Sequence, residues 1–150
     1  MKCRIIDYFS RIGKSRGFGI QSPWAYSFVT DVIMERLPYY AYERIDKEYR
    51  TTRERKHEKL MLRIRNFCHK GEVIIFDISN ASYADIVAVT LRIKEHDALV
   101  VENIYASDEV YKKWLLLRDT EAIGITFDLY SMAICFSRDS KYKQHYKLNF

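Results

Sequence analysis

Residues 71–107 read GEVIIFDISNASYADIVAVTLRIKEHDALVVENIYAS, and they contain two short apolar runs. These runs, residues 73–76 (VIIF) and 98–101 (ALVV), are continuous, which is typical of strands that are covered on both faces. A polar turn and then a helical pattern follow each run, over about 83–95 and 107–118. Two strand–helix units in series predict parallel strands joined by right-handed crossovers.

The C-terminal part carries a different pattern. Residues 123–128 (IGITFD) and 132–136 (MAICF) are largely apolar, and only residues 129–131 separate them. Two such runs so close together predict a β-hairpin. We therefore expect a sheet of four strands, in which a parallel pair is followed by an antiparallel one.

Helical patterns dominate the N-terminal part of the chain. Apolar residues recur there at spacings of three and four, and Ser22 followed by Pro23 is a typical helix start. Helices are expected at 3–12, at 24–35, from about 42 with a weak point at 51–52, and at 58–68. The predicted fold class is α/β in one domain, 1–150, with an N-terminal helical segment (1–70) packed on a small mixed sheet (71–150).

Composition excludes several classes of protein. The chain of 150 residues is 48% hydrophobic and 30% charged, which favours a folded domain over a disordered one. No apolar stretch approaches the roughly 20 residues that cross a bilayer, and the N-terminus lacks the apolar run of a signal peptide. The three cysteines are scattered and the four histidines are not at metal-binding spacing, so we expect a cytoplasmic protein without a metal site or membrane contact.

Charge is distributed unevenly. Residues 1–71 hold 16 Lys+Arg and 8 Asp+Glu, a net of +8, whereas residues 72–150 hold 9 and 12, a net of −3. The densest basic segment is 50–65, which predicts either contacts to nucleic-acid phosphates or a solvated helix face. The second reading is favoured, because no motif that reads nucleic acid accompanies the charge. The candidate basic patch is Arg50, Arg53, Arg55, Lys56, Lys59 and Arg63.

Acidic and amide side chains follow the first two strands. Asp77 ends the first strand, and Glu102 and Asn103 end the second. Parallel strands bring these ends to the same sheet edge, where ligands of open α/β sheets bind, so an acidic cleft is one interpretation. The favoured alternative is that Asp77 and Ser107 serve only as turn and cap residues.

Four segments resemble one known family. Residues 17–26 (GFGIQSPWAY) are similar to a GxHGxHSPFxY opening, and residues 101–107 (VENIYAS), with Trp114 further on, are similar to a DDIHWS…W segment. Residues 125–136 and 143–150 resemble the last hairpin and the tail of the same group. The group is a bacterial set of class I S-adenosylmethionine-dependent methyltransferases. The resemblance implies a Rossmann-like sheet.

Members of that group are longer and carry a complete sheet that binds the methyl donor, so this chain resembles a member that lacks a middle block. Residues 73–83 stand either for the group's first strand and its glycine loop, or for its fourth strand. In the second alignment Asp77, Asn80 and Tyr83 resemble a DGNHxY loop. That alignment continues into residues 98–107 without a gap, and it is preferred.

The residues expected for methyl-donor binding are absent or substituted. Glycine opens the bend after a strand to a nucleotide-like cofactor, and no glycine lies between Gly71 and Gly124. Where the group has two aspartates and a histidine, this chain has Glu102, Asn103 and Tyr105, so a carboxylate and a base are lost. We expect no catalysis and no cofactor. The ligand-cleft candidates are Asp77, Asn80, Tyr83, Glu102, Asn103 and Tyr105.

Three functional hypotheses follow. The first is a methyltransferase-like protein without catalysis that acts as a binding or interaction module. The second is an active methyltransferase that binds S-adenosylmethionine in a site completed by dimerisation, and the third and weakest is nucleic-acid binding through residues 50–65. An uncovered sheet edge invites pairing with another chain, so a homodimer is predicted, with the sheet edge or the aromatic N-terminal segment at its interface.

Overall fold

A computed structural model describes residues 19–137 and 143–150, and the predicted α/β class is confirmed. Strand β1 (Val73–Asp77) runs parallel to β2 (Ala98–Glu102). Strand β4 (Met132–Phe136) is antiparallel to β2 and to β3 (Ile125–Asp128), and β5 (Gln144–Lys147) is parallel to β3. The order across the sheet is β1-β2-β4-β3-β5. Strands β1, β2 and β3 therefore point the same way, and their carboxyl ends share one edge.

The expectation of four strands is wrong, because β5 adds a fifth. Its sequence, QHYK, has no apolar run, so neither of the usual strand patterns identifies it. Hydrogen bonds to the main chain of the β3 segment hold it in place. Gln144 N–H donates to the Gly124 carbonyl and Leu148 N–H to the Asp128 carbonyl, each at 2.9 Å.

The described residues contain five α-helices, and four of them begin within about two residues of the expected positions. The third begins at residue 52 rather than 58. Ser22 caps the first helix and Ser107 the last, as predicted. The first helix ends earlier than expected, because its last turn, Val29–Ile33, is a π-helix. The helices are α1 (Pro23–Phe28), α2 (Tyr40–Glu48), α3 (Thr52–Phe67), α4 (Tyr83–Arg92) and α5 (Asp108–Asp119).

The weak point near residues 51–52 is a complete break between α2 and α3. Thr51 is the N-cap of α3: its hydroxyl accepts from Glu54 N–H, and the Glu54 carboxylate accepts from Thr51 N–H. This reciprocal capping box starts a new helix. The predicted helix at 3–12 lies outside the described residues.

Two apolar layers sandwich the sheet. Phe28 of α1 and Leu60 and Ile64 of α3 pack on one face, against Val100 and Phe127. Helices α4 and α5 cover the other face through Ile86, Val89, Trp114 and Leu117. Both faces are covered, which explains why β2, β3 and β4 are buried along almost their whole length and are mostly apolar. Among the described helices, none combines the length and the apolar character that a membrane crossing requires.

Candidate functional site

A cleft of about 1210 Å³ opens at the carboxyl end of β2. Its walls come from the first turns of α3, from the residues after β2, and from the turn between β3 and β4. The predicted candidates Glu102, Asn103 and Tyr105 all line it, and so do Arg53 and Lys56 of the predicted basic patch. Residues from the predicted ligand cleft and residues from the predicted basic patch therefore line the same cleft.

Glu102 connects the sheet to α3. Its Oε1 lies 3.0 Å from Nε2 of His57, and Nδ1 of the same imidazole lies 3.2 Å from Oε1 of Glu58. The ring lies between two carboxylates, and it ties the first turns of α3 to the end of β2.

Asn103 adopts an unusual backbone conformation, with φ at 61°. Its N–H donates to the Ser131 carbonyl at 3.1 Å, which joins the end of β2 to the hairpin turn. Its side chain also reaches Asp77. Hydrogen bonds from Ser79, and then the one from Asn103, hold the pKa of Asp77 below its usual value. The predicted proximity of these strand ends is thus present.

Tyr105 is anchored rather than free. Its hydroxyl donates to Oδ2 of Asp128 at 2.6 Å, and Asp128 is only 5% exposed. Its ring stacks between those of Tyr111 and Tyr130, with centroids 5.0 and 5.7 Å away. The cleft is therefore lined on this side by two stacked rings, those of Tyr105 and Tyr130, and Tyr111 stacks on Tyr105 outside the lining.

The turn between β3 and β4 is strained. Ser131 N–H donates to the Leu129 carbonyl at 3.0 Å, and the residue between them, Tyr130, has φ at 75°. This is the rare γ-turn with positive φ. Oδ1 of Asp128 supports it by accepting from Tyr130 N–H at 3.0 Å. Residues held in such conformations cluster at functional sites, and Asn103 and Tyr130 both border this cleft.

Lys56 and Arg53 bring positive charge to the opposite wall. The Lys56 ammonium lies 4.1 Å from the centroid of the Phe150 ring, a cation–π contact. Partial burial, and then repulsion from Arg63, lower the pKa of Lys56. Arg53 is exposed at the mouth. Among the described residues, neither Lys56 nor Arg53 pairs with a carboxylate.

The other basic candidates are engaged elsewhere. Arg63 is 8% exposed and donates to the carbonyls of Ile33 and Glu35, at the end of the π-helical turn. Its buried position contradicts its assignment to a phosphate-binding patch. Lys59 pairs with Asp46 at 2.6 Å. Arg55 donates to a main-chain carbonyl in the break before α3, whereas Arg50 is exposed outside the cleft.

Asn80 and Tyr83 do not reach the cleft. Asn80 lines a separate groove of about 470 Å³ between β1 and α4, and Tyr83 is 59% exposed at the start of α4. Asp77 borders that groove as well, although its carboxylate touches Asn103. Within residues 19–137 and 143–150, no three metal-binding side chains converge.

Several cleft residues were not predicted. His57 and Glu58 were interpreted only as part of a charged segment, because nothing in the sequence shows that α3 crosses the end of β2. Asp128 did carry a signal: it ends the third parallel strand, just as Asp77 and Glu102 end the first two. Phe150 comes from the tail, which packs here only because β5 is part of the sheet.

Comparison with known proteins adds no relative. No family model matches the chain, and neither a curated protein nor a solved structure shows significant similarity to it.

Proposed function

We propose that this protein is a methyltransferase-like binding protein without catalysis, and that its cleft holds a small anionic ligand. Two cations at one wall, Arg53 and Lys56, carry the proposal, because the three carboxylates that line the cleft already have hydrogen-bonding partners. Glu102 and Glu58 face His57, and Glu54 caps α3. The carboxylates are thus engaged, whereas the cations of Arg53 and Lys56 have no carboxylate partner among the described residues. An anion at this wall would supply the missing counter-charge.

The shape of the cleft refines the ligand class. Its opposite wall carries the stacked rings of Tyr105 and Tyr130, and the ring of Phe150 lies under Lys56. Flat aromatic surfaces favour a planar or apolar group. The volume, about 1210 Å³, is ample for a ligand of nucleotide size. We therefore infer an anion that carries a planar ring.

The bend between β1 and α4 supports the absence of donor binding. Ser82 and Asp85 cap α4 reciprocally, and the Asp77 carboxylate accepts from both the N–H and the hydroxyl of Ser79. The Ala81 carbonyl accepts from Lys113 Nζ at 2.8 Å. The polar groups that would meet a cofactor's ribose or carboxylate therefore already have partners in the protein.

The small number of basic side chains without a partner in the protein favours a small ligand over nucleic acid. Of the six residues in the predicted patch, three bind other groups of the protein, namely Arg55, Lys59 and the buried Arg63. Nucleic acid is tracked by a groove with many phosphate contacts, and its binding weakens steeply as salt rises. If residues 50–65 bind nucleic acid, the affinity for an oligonucleotide should fall as salt rises. Binding whose affinity does not depend on salt would exclude phosphate contacts by these residues.

Calorimetry tests the proposal directly. Adenosine monophosphate is expected to bind. Adenosine and inorganic phosphate should bind more weakly, because the first has only the planar ring and the second only the negative charge. The double variant R53Q/K56Q should raise the dissociation constant at least about tenfold. The control K47Q/R50Q removes the same charge from exposed positions outside the cleft. An unchanged constant in R53Q/K56Q, or no binding of any of the three probes, would contradict the proposal.

Calorimetry also tests the alternative that the protein is an active methyltransferase. Micromolar binding of S-adenosylmethionine or S-adenosylhomocysteine would overturn the non-catalytic proposal and favour a donor site completed by dimerisation.

We also infer a homodimer in the bacterial cytoplasm. Two described cysteines, Cys68 and Cys135, are free and buried, as in a reducing compartment, and burial raises the pKa of Cys68 to about 11. Migration of a monomer in sedimentation would contradict the dimer.

A further inference from the structure

Strand β1 forms one edge of the sheet in the described part of the chain. Within the described ranges, 19–137 and 143–150, β1 pairs only with β2. The direction of its backbone groups follows from two hydrogen bonds to β2: the Glu72 carbonyl accepts from Ala98 N–H, and Ile78 N–H donates to the Glu102 carbonyl. In a parallel pair, alternate residues bond to the same neighbour. Even-numbered residues of β1 therefore face β2, and odd-numbered residues present their N–H and C=O groups outward.

Three residues, Val73, Ile75 and Asp77, supply these outward groups. If a second β1 lies antiparallel with Ile75 opposite Ile75, Val73 of each chain lies opposite Asp77 of the other. Each opposed pair exchanges two hydrogen bonds. This register satisfies all six outward N–H groups and all six outward carbonyls of the two strands with each other. A shift by two residues leaves some of them unpaired, so the strand is self-complementary in one register.

The surroundings of β1 leave room for a second copy. Ile75 is 49% exposed, and the groove between β1 and α4 has a volume of about 470 Å³. Ala88 of α4 lines this groove with its small side chain. A two-fold axis perpendicular to the sheet places both α4 helices on the same face, where they meet across the two grooves.

Charge is complementary in the same arrangement. At one end of the groove Arg92 Nη2 lies 2.6 Å from Oε1 of Glu72, and at the other end lie the carboxylates of Asp77 and Asp85. Antiparallel pairing brings the carboxylates of Asp77 and Asp85 in one copy towards the Arg92–Glu72 ion pair of the other. A parallel arrangement would place the carboxylates of the two copies together.

We propose that β1 of one chain pairs antiparallel with β1 of a second copy, centred on Ile75, to form a continuous ten-stranded sheet. This deepens the homodimer inferred above and does not depend on ligand binding. The two proposals can therefore be refuted separately. A dimer that binds no anion contradicts only the proposed ligand binding, and a monomer that binds an anion contradicts only the proposed dimer.

Cysteine cross-linking tests the register. In a chain where Cys3 is replaced by Ser, the variant I75C places two thiols across the two-fold axis at a separation that a disulfide spans. Mild oxidation should convert most of this variant to a covalent dimer. The matched control D77C, on the same strand, should not link to itself but should link to V73C when the two chains are mixed. Equal self-linking of D77C and I75C, or linking of neither, would overturn the proposal.

Proline substitution tests the hydrogen bonds. Because odd-numbered residues of β1 face outward, Ile75 N–H bonds to no other described residue. The variant I75P therefore removes a donor that the second copy would use. We expect at least a tenfold rise in the dimer dissociation constant, with the far-ultraviolet circular dichroism unchanged. The control I75T keeps the N–H and the β-branched shape and should remain close to the parent. A folded I75P with an unchanged constant would place the interface elsewhere and overturn the proposal, as would a monomeric parent at high micromolar concentration.

Discussion

His57 and Glu102 are 45 residues apart in the chain, and their side chains meet at 3.0 Å. The contact joins the second turn of α3 to the last residue of β2, and about a quarter to a third of each side chain remains exposed. It therefore closes one side of the cleft without being sealed from solvent.

Removing this contact should loosen the cleft wall. Glu102→Gln and His57→Gln, measured singly and together by urea unfolding, should show a coupling free energy of about 0.5–1 kcal/mol, a modest value because the pair is partly exposed. The cycle isolates the pair from the effect of each residue on its other neighbours. Additive effects within error would show that the two side chains do not act together.

The hydrogen bond of Tyr105 to Asp128 should matter more, because the carboxylate is buried. Tyr105→Phe keeps the ring stack and deletes the donor, and we expect the free energy of unfolding to fall by about 1–3 kcal/mol. Tyr111→Phe is the matched control, since the contact described for that residue is its ring stack. A Tyr105→Phe protein as stable as the control would show that Asp128 does not depend on the hydroxyl.

Gly71 cannot accept a side chain. A Cβ atom at this position would lie 2.0 Å from the carbonyl oxygen of His96, a backbone atom in the turn before β2. Gly71→Ala should lower the free energy of unfolding by about 1–3 kcal/mol, and thermal unfolding would measure it. Gly19→Ala offers a comparison, because space is open there and only the positive φ of 85° opposes the change. Equal stability of Gly71→Ala and the parent would refute the close approach.

Asp77 should make stability depend on pH in the acid range. Its pKa is lowered in the folded state, so its contribution is present above the unfolded value of about 4 and is lost as pH falls through the folded value. Asp77→Asn should therefore reduce stability at pH 7 and have much less effect near pH 2. Urea midpoints at the two pH values would measure the difference, and equal losses at both would contradict a charge effect.

Much of the architecture could be predicted from local patterns. The run at 98–101 is apolar because helices cover both faces of β2, whereas β1 is an edge strand with Ile75 half exposed. The N-caps Ser22 and Ser107 are explicit in the sequence. The break at Thr51 was also encoded, as a threonine followed three residues later by Glu54. Strand β5 could not be found this way, because its pairing with β3 depends on main-chain bonds and not on an apolar pattern.

The site was predicted only in part, for a related reason. Asp77, Glu102 and Asn103 are predicted to lie together because strand ends share an edge, and this rule needs only the order of the elements. Tyr105 is predicted from the resemblance to the methyltransferase group instead. Tyr83 was not brought into the cleft, because the position of a residue on α4 depends on helix rotation. His57 enters through the crossing of α3 over β2, a tertiary contact that no local spacing encodes.

The position of β4 between β2 and β3 has a consequence for biosynthesis. Strand β2 lacks its second neighbour until residues 132–136 have left the ribosome, about 30 residues after β2 itself. At ordinary translation speeds this interval lasts about 2–6 s. Throughout it the nascent chain exposes a two-stranded apolar ribbon with both margins unpaired, a natural substrate for chaperones.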